Sequence, residues 1–171
     1  MHVRLPPRGL SPVDLIGNTP LVRLERVPRG RVSPEVEIWA KLERFNPGGS
    51  VKDRAAWAII RDAENRGLCV PDVRLLDSSS GNTGIAYGMI CAARGHALTL
   101  CLPANANLER KRILRAYGVE VIETDPLEGS DGAIRRAREL EASGGYVYLD
   151  QYSNPANARA HEEGTAREIW W

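Results

Sequence analysis

No stretch of this sequence approaches the roughly 20 consecutive apolar residues that a helix needs to cross a bilayer, and Met1-His-Val-Arg-Leu-Pro-Pro7 lacks the apolar core of a signal peptide. These absences lead to the expectation of a cytoplasmic protein with no membrane partner. An excess of charge of one sign is also missing: 23 Lys and Arg stand against 22 Asp and Glu, for a formal net charge of +1. So small a balance supplies no long-range field for nucleic acid, which is not expected as a partner. Arg135, Arg136 and Arg138 alternate with Glu139 and Glu141, which reads as a solvated helix face. Cysteine is scarce, and Cys69, Cys91 and Cys101 show no metal-ligand spacing. Their apolar neighbours suggest buried thiols, not disulfides, zinc ligands or redox groups. His2, His96 and His161 are isolated, so none is assigned as a ligand or base and no metal site is expected. There is no Walker string, no GxGxxG, no internal repeat and no low-complexity tract.

What is present is an ordinary globular composition, 43% apolar and 26% charged over 171 residues, enough for one sizeable core. Strand-like runs recur at Leu21–Leu24, Val36–Leu42, Val73–Asp77, Ala97–Leu102, Val119–Glu123 and Tyr146–Asp150. Helical spacing covers Val51–Arg66, Thr83–Arg94, Leu108–Tyr117, Asp131–Ser143 and Pro155–Trp170, with Gly67, Gly95, Gly118 and Gly144 as stops. The alternation from Val73 onward predicts an α/β fold: an open, mostly parallel sheet with helices on both faces. In such a sheet the loops at the carboxyl ends of the strands share one edge, where ligands bind.

Two strings on that scaffold carry chemistry. Asn46-Pro-Gly-Gly-Ser-Val-Lys-Asp-Arg54 sets a lysine at a loop-to-helix junction. Partial burial there suits Lys52 to Schiff-base chemistry, Gly48 and Gly49 permit close backbone approach to a flat ring, and Ser50 is placed to cap the helix. A lone lysine is ordinarily a solvated surface residue, so the assignment rests on the whole string and its companion. The companion, Ser79-Ser-Gly-Asn-Thr-Gly84, joins a strand to a helix. Its backbone N–H groups and the hydroxyls of Ser79, Ser80 and Thr83 converge on a helix N-terminus, which favours a carboxylate or phosphate. A plain capped turn explains that string equally well on its own. Gln151 and Asn154 read first as a capping turn before a helix starting at Pro155, yet the sheet edge brings Gln151–Asn157 toward Ser79–Gly84.

Together with Gln151-Tyr-Ser-Asn-Pro-Ala-Asn157, Ile16-Gly-Asn-Thr-Pro-Leu21 and Leu108-Glu-Arg-Lys111, the two strings resemble the cysteine synthase and cystathionine β-synthase family of fold type II pyridoxal phosphate enzymes, from about Val13 onward. The resemblance implies pyridoxal 5'-phosphate as cofactor, Lys52 as its Schiff-base lysine and Asn82 on the ring hydroxyl. It also implies that Ser79, Ser80, Asn82, Thr83 and Gln151 surround the substrate carboxylate. The reaction implied is a β-replacement forming L-cysteine from O-acetylserine or O-phosphoserine and sulfide, with Lys52 taking the α-proton. Family members carry a second half, with a phosphate-gripping loop and a polar residue facing the pyridine nitrogen. Neither is found here, and Glu163-Gly-Thr-Ala-Arg-Glu168 departs from the family's threonine, glycine, proline pattern before the glutamate.

A truncated or split form is therefore expected, lacking most of the second domain. Residues 1–45 would be a segment that packs on the missing C-terminal domain, and residues 46–171 a small α/β domain carrying the lysine and the substrate loop. Strands Leu21–Leu24 and Val36–Leu42 would lack neighbours, and Trp170 and Trp171 would form an exposed apolar patch. A homodimer, or a separately encoded C-terminal half, would be the partner. Three other readings stay open: cystathionine β-synthase, a non-catalytic fragment or interaction module of the same descent, and a small phosphate-binding domain that does not use Lys52.

Overall fold

The computed structural model describes residues 9–170. Met1–Arg8, with His2, and Trp171 lie outside the described residues. Two short strands, β1 (Leu21–Arg23) and β2 (Trp39–Lys41), pair antiparallel near the start, and helix α1 (Lys52–Asn65) follows. Then come β3 (Arg74–Ser78), α2 (Asn82–Arg94), β4 (Leu98–Pro103), α3 (Leu108–Ala116), β5 (Glu120–Thr124), α4 (Gly129–Ala142), β6 (Tyr146–Tyr148), α5 (Pro155–Ala160) and α6 (Ala166–Trp170). Strands β5-β4-β3-β6 form one sheet in that order, parallel throughout.

Alternation along each strand divides the core in two. Leu75, Leu98, Leu100 and Leu102 turn to one face and pack with Tyr87 and Ile90 of α2 and Ile59 and Ile60 of α1. Leu76 and Cys101 turn to the other and meet Ala133 and Ala137 of α4. Helix α2 is buried on nearly every side because it lies between the sheet and α1, which explains its near-continuous apolar sequence. Helix α4 buries only a stripe of small residues, and Arg135 and Arg136 stay exposed, paired with Glu128 and Glu139. The expected α/β sheet with helices on both faces is the fold observed.

The chain winds from β3 through β4 to β5, then crosses back to lay β6 on the other side of β3. The crossover helix α2 lies on one face and α4 on the other, so β3 and β6 flank a topological switch point, where the carboxyl-end loops part and leave a crevice.

Most boundaries fall within one or two residues of the sequence reading, and three differences have a structural cause. The run Val36–Leu42 pairs only over Trp39–Lys41, because β1 offers three partners and no third strand extends the ladder among the described residues. The run Tyr146–Asp150 stops at Tyr148, and Asp150 turns to φ +45°. The helix expected over Pro155–Trp170 is split by a π-helical turn at His161–Thr165. The glycine stops at Gly67, Gly95, Gly118 and Gly144 all take positive φ.

Candidate active site

Lys52 is the first residue of α1 and is half-buried. The Ser50 hydroxyl oxygen accepts from the Lys52 backbone N–H at 3.1 Å, so Ser50 does steady the helix start, while the N-cap position itself belongs to Val51. The Lys52 ammonium has no hydrogen-bond or ion-pair partner among the described residues, which leaves the amine available to a ligand. Behind it, Asp53 is fully buried and accepts from the Gly48 N–H. A Cβ on Gly48 would lie 2.6 Å from Asp53 Oδ1, so glycine is required for that approach. Burial, ahead of the nearby Glu43 charge, pushes the Asp53 carboxyl up to about 6.

The loop Ser79–Gly84 leaves β3 at the switch point and feeds α2. Ser79 Oγ accepts from the N–H groups of Gly81 and Gly84 at 3.3 and 3.2 Å and holds the loop closed. The N–H groups of Asn82 and Thr83 have no partner among the described residues, as expected of a first helical turn that can receive an anion. Gly84 lies so close to the loop that a Cβ would meet the Ser79 carbonyl oxygen at 2.5 Å. Across the crevice, the Gln151 carbonyl accepts from Asn157 Nδ2 at 3.0 Å, and Gln151 Oε1 is buried with no hydrogen-bond partner. Asn154 behaves as the capping residue its sequence context suggested: its side chain accepts from the Ala156 N–H at 3.0 Å.

Lys52, Ser79, Ser80, Asn82, Thr83 and Gln151, the six residues singled out from sequence, line one groove of about 430 Å³. Thr83 is buried and Asn82 exposed at the rim. A larger hollow of about 610 Å³ lies between α1, α5 and α6, away from these six residues. The groove has members that sequence reasoning passed over. Arg110 of α3 reaches Ser80 O with Nη1 at 3.3 Å. Ser78 adds a buried hydroxyl without a partner. His161 lies outside the groove lining; its ring is 3.0 Å from Thr165 Oγ1, and its pKa is lowered by burial and then by the charges of Lys52 and Arg54. The Leu108-Glu-Arg-Lys111 string was the available signal for Arg110, since it fixes a helix start whose Asn107 cap accepts from Glu109 and Arg110 N–H groups at 2.8 and 3.2 Å.

Comparison with known proteins fits this arrangement. The sequence model for "Pyridoxal-phosphate dependent enzyme" matches residues 13–170. The chain belongs to that family. Cysteine synthase of Aquifex aeolicus (strain VF5) is 53% identical over 160 residues, 92% of this chain and 49% of that protein. Cysteine synthase A of Escherichia coli (strain K12) is 46% identical over 157 residues, 91% of this chain and 47% of that protein. The crystal structure of cysteine synthase from Entamoeba histolytica superposes with a TM-score of 0.88 at 36% identity, covering 99% of this chain and 52% of that one. The chain thus spans about half the length of the relatives it matches.

The donor set suits the family's cofactor. A free lysine amine meets the requirement of an aldehyde, and unpartnered Ser78 Oγ, Gln151 Oε1 and first-turn N–H groups await polar atoms in the groove. Among the described residues no helix is long and apolar enough to cross a membrane.

Proposed function

We propose that this chain supplies the lysine and the amino-acid-binding loops of a pyridoxal phosphate-dependent β-replacement site that forms L-cysteine from O-acetylserine or O-phosphoserine and sulfide. The observation that carries the reading is the convergence of Lys52 and the Ser79–Gly84 and Gln151 loops on one groove at the switch point. The cysteine synthase relatives support the reaction class.

Bound in the groove, pyridoxal phosphate supplies a carbonyl for condensation with amines and a ring that accepts the electron pair left at the substrate Cα. Lys52 would hold that carbonyl through its Nζ, and its amine would be the base that takes the proton from the substrate Cα. Asn82, at the α2 N-terminus, would hydrogen-bond the ring hydroxyl. Ser79, Ser80, Thr83, the free N–H groups of Asn82 and Thr83, and the Gln151 amide receive the substrate carboxylate, so that the Cα–H bond points at Lys52. Arg110, bound to Ser80 O, steadies that wall of the groove.

The reading includes burial of residues 1–45 against the family's second half. The exposed side chains of Val27, Trp39, Phe45, Ile169 and Trp170 support such a neighbour, as they would a homodimer. A cytoplasmic location belongs to the same reading, in keeping with Cys69, Cys91 and Cys101 as free thiols.

The test is a visible absorption spectrum of purified chain with pyridoxal phosphate, in native form and as Lys52→Ala. A band that is present in the native chain, absent from Lys52→Ala and shifted by O-acetylserine is expected. A band equally strong in Lys52→Ala would remove Lys52 from the site.

A further inference from the structure

Behind the groove, next to its lining residue Ser78, lies a carboxylate sealed from solvent. Asp77 stands near the end of β3, is fully buried, and accepts hydrogen bonds from both loops that form the groove walls. Its Oδ1 takes the Ser78 N–H at 2.7 Å, where the chain leaves the sheet toward Ser79–Gly84. Its Oδ2 takes the Gln151 N–H at 3.2 Å, where the chain leaves β6. The Gln151 backbone is thereby held through its N–H by Asp77 and through its carbonyl by Asn157, and the residue lines the groove with its Oε1 buried and unpartnered.

We propose that Asp77 is a positioning residue: it ties the Gln151 loop to the Ser79–Gly84 loop across the β3–β6 switch point and sets the distance between the two walls that receive the substrate carboxylate. The proposal rests on the reading of the groove given above. A carboxylate suits the task because both of its oxygens are acceptors. An amide at the same place presents one acceptor and one donor, so one of the two N–H groups loses its partner.

The groups that face Asp77 are Tyr87 from α2, Tyr148 from β6, Asp150 from the following loop and Cys101 from β4. Burial pushes the Tyr87, Tyr148 and Cys101 protons toward retention, so these three stay neutral where carboxylates titrate. No cation is among them. Burial raises the Asp77 carboxyl to about 6, against the stabilising N–H bonds of Ser78 and Gln151. The tie is complete above that pH and loses one acceptor below it.

The experiment follows backbone amides of the full chain by nitrogen-15 NMR. In the native chain the Ser78 and Gln151 amides should titrate together with one midpoint near 6, although the two residues are far apart in sequence. In Asp77→Asn, at neutral pH, amide exchange of Gln151–Ser153 should quicken by about tenfold with Leu100 and Ile90 unchanged, as loss of a charge-assisted hydrogen bond predicts. The same variant should bind O-acetyl-L-serine less tightly, read from shifts at Asn82 and Thr83. Absence of a shared midpoint in the native chain overturns the proposal, with no need for the variant to fold. Exchange that stays the same, or rises uniformly through β3, β4 and α2, overturns it as well. None of these signals requires pyridoxal phosphate, so the tie stands or falls apart from the Lys52 test.

Discussion

Asp77 is ionised at neutral pH only against the cost of burial, and the sign of that cost is open to measurement. Its carboxyl sits at about 6 in the folded chain against an ordinary 3.8, so its favourable contribution is complete below the ordinary value and is lost as pH rises through about 6. A shift of this size corresponds to about 3 kcal/mol. Asp53, also near 6, titrates over the same window, so the decisive quantity is the difference between two chains. Denaturant unfolding of native and Asp77→Asn protein across this range should show native stability falling more steeply with rising pH, by about 3 kcal/mol in all. Parallel curves would mean that Asp77 carries no buried charge. The contrast with Lys52 shows what single residues disclose in a sequence. Lys52 is legible because a whole string frames it, whereas Asp77 reads as the polar end of an apolar strand. Only the register that sets β6 beside β3 brings the Gln151 N–H to it. Arg110 was obscure for the same reason, since its partner Ser80 lies on another element.

The β3–loop–α2 unit depends on a close approach that leaves no room for a side chain at Gly84. Alanine there would set a Cβ 2.5 Å from the Ser79 carbonyl oxygen, a backbone atom that cannot swing aside. Gly84→Ala should cost about 1–3 kcal/mol, as overpacking does elsewhere. Gly81→Ala, whose nearest contacts are 4.0 Å away, should stay within about 0.5 kcal/mol. Thermal melts of both variants check the pair, and equal losses would contradict the packing argument. Elements of this unit were well marked in the sequence, because parallel strands buried on both faces read as apolar runs and glycines end the helices between them. The outlying elements were less so. The hairpin β1–β2 is only as long as its pairing, which no propensity records, and the π turn at His161–Thr165 interrupts a pattern that would otherwise continue as one helix.

Across the whole molecule, Arg54 joins parts of the chain that are remote in sequence. Its buried guanidinium bonds Glu43 at 2.7 Å and Glu168 at 2.6 Å, while Lys41 reaches Glu168 at 2.6 Å and Thr19 donates to Glu43 at 2.6 Å. Arg54→Ala would leave Glu43 and Glu168 without their shared cation and should cost about 3–5 kcal/mol in denaturant unfolding. A loss below about 1 kcal/mol would place the network among ordinary surface pairs. Glu168, held down to about 2 chiefly by Arg54, contributes stability that is complete above 4.5 and fades as pH falls toward 2. Acid unfolding of the native chain should therefore steepen in that range and that of Arg54→Ala should not. Arg54 belongs to a string that was read for its lysine, and nothing local foretold that its partner stands near the other end of the chain. The Asn18 N–H also donates to Glu168 Oε1, at 2.9 Å across 150 positions of sequence. On the ribosome, at roughly 5–20 residues per second, the segment around Asn18 would wait on the order of 8–30 s for its anchor to be made. Through that interval Asn18 lacks its Glu168 partner, and this segment stays open to chaperones and proteases on that side.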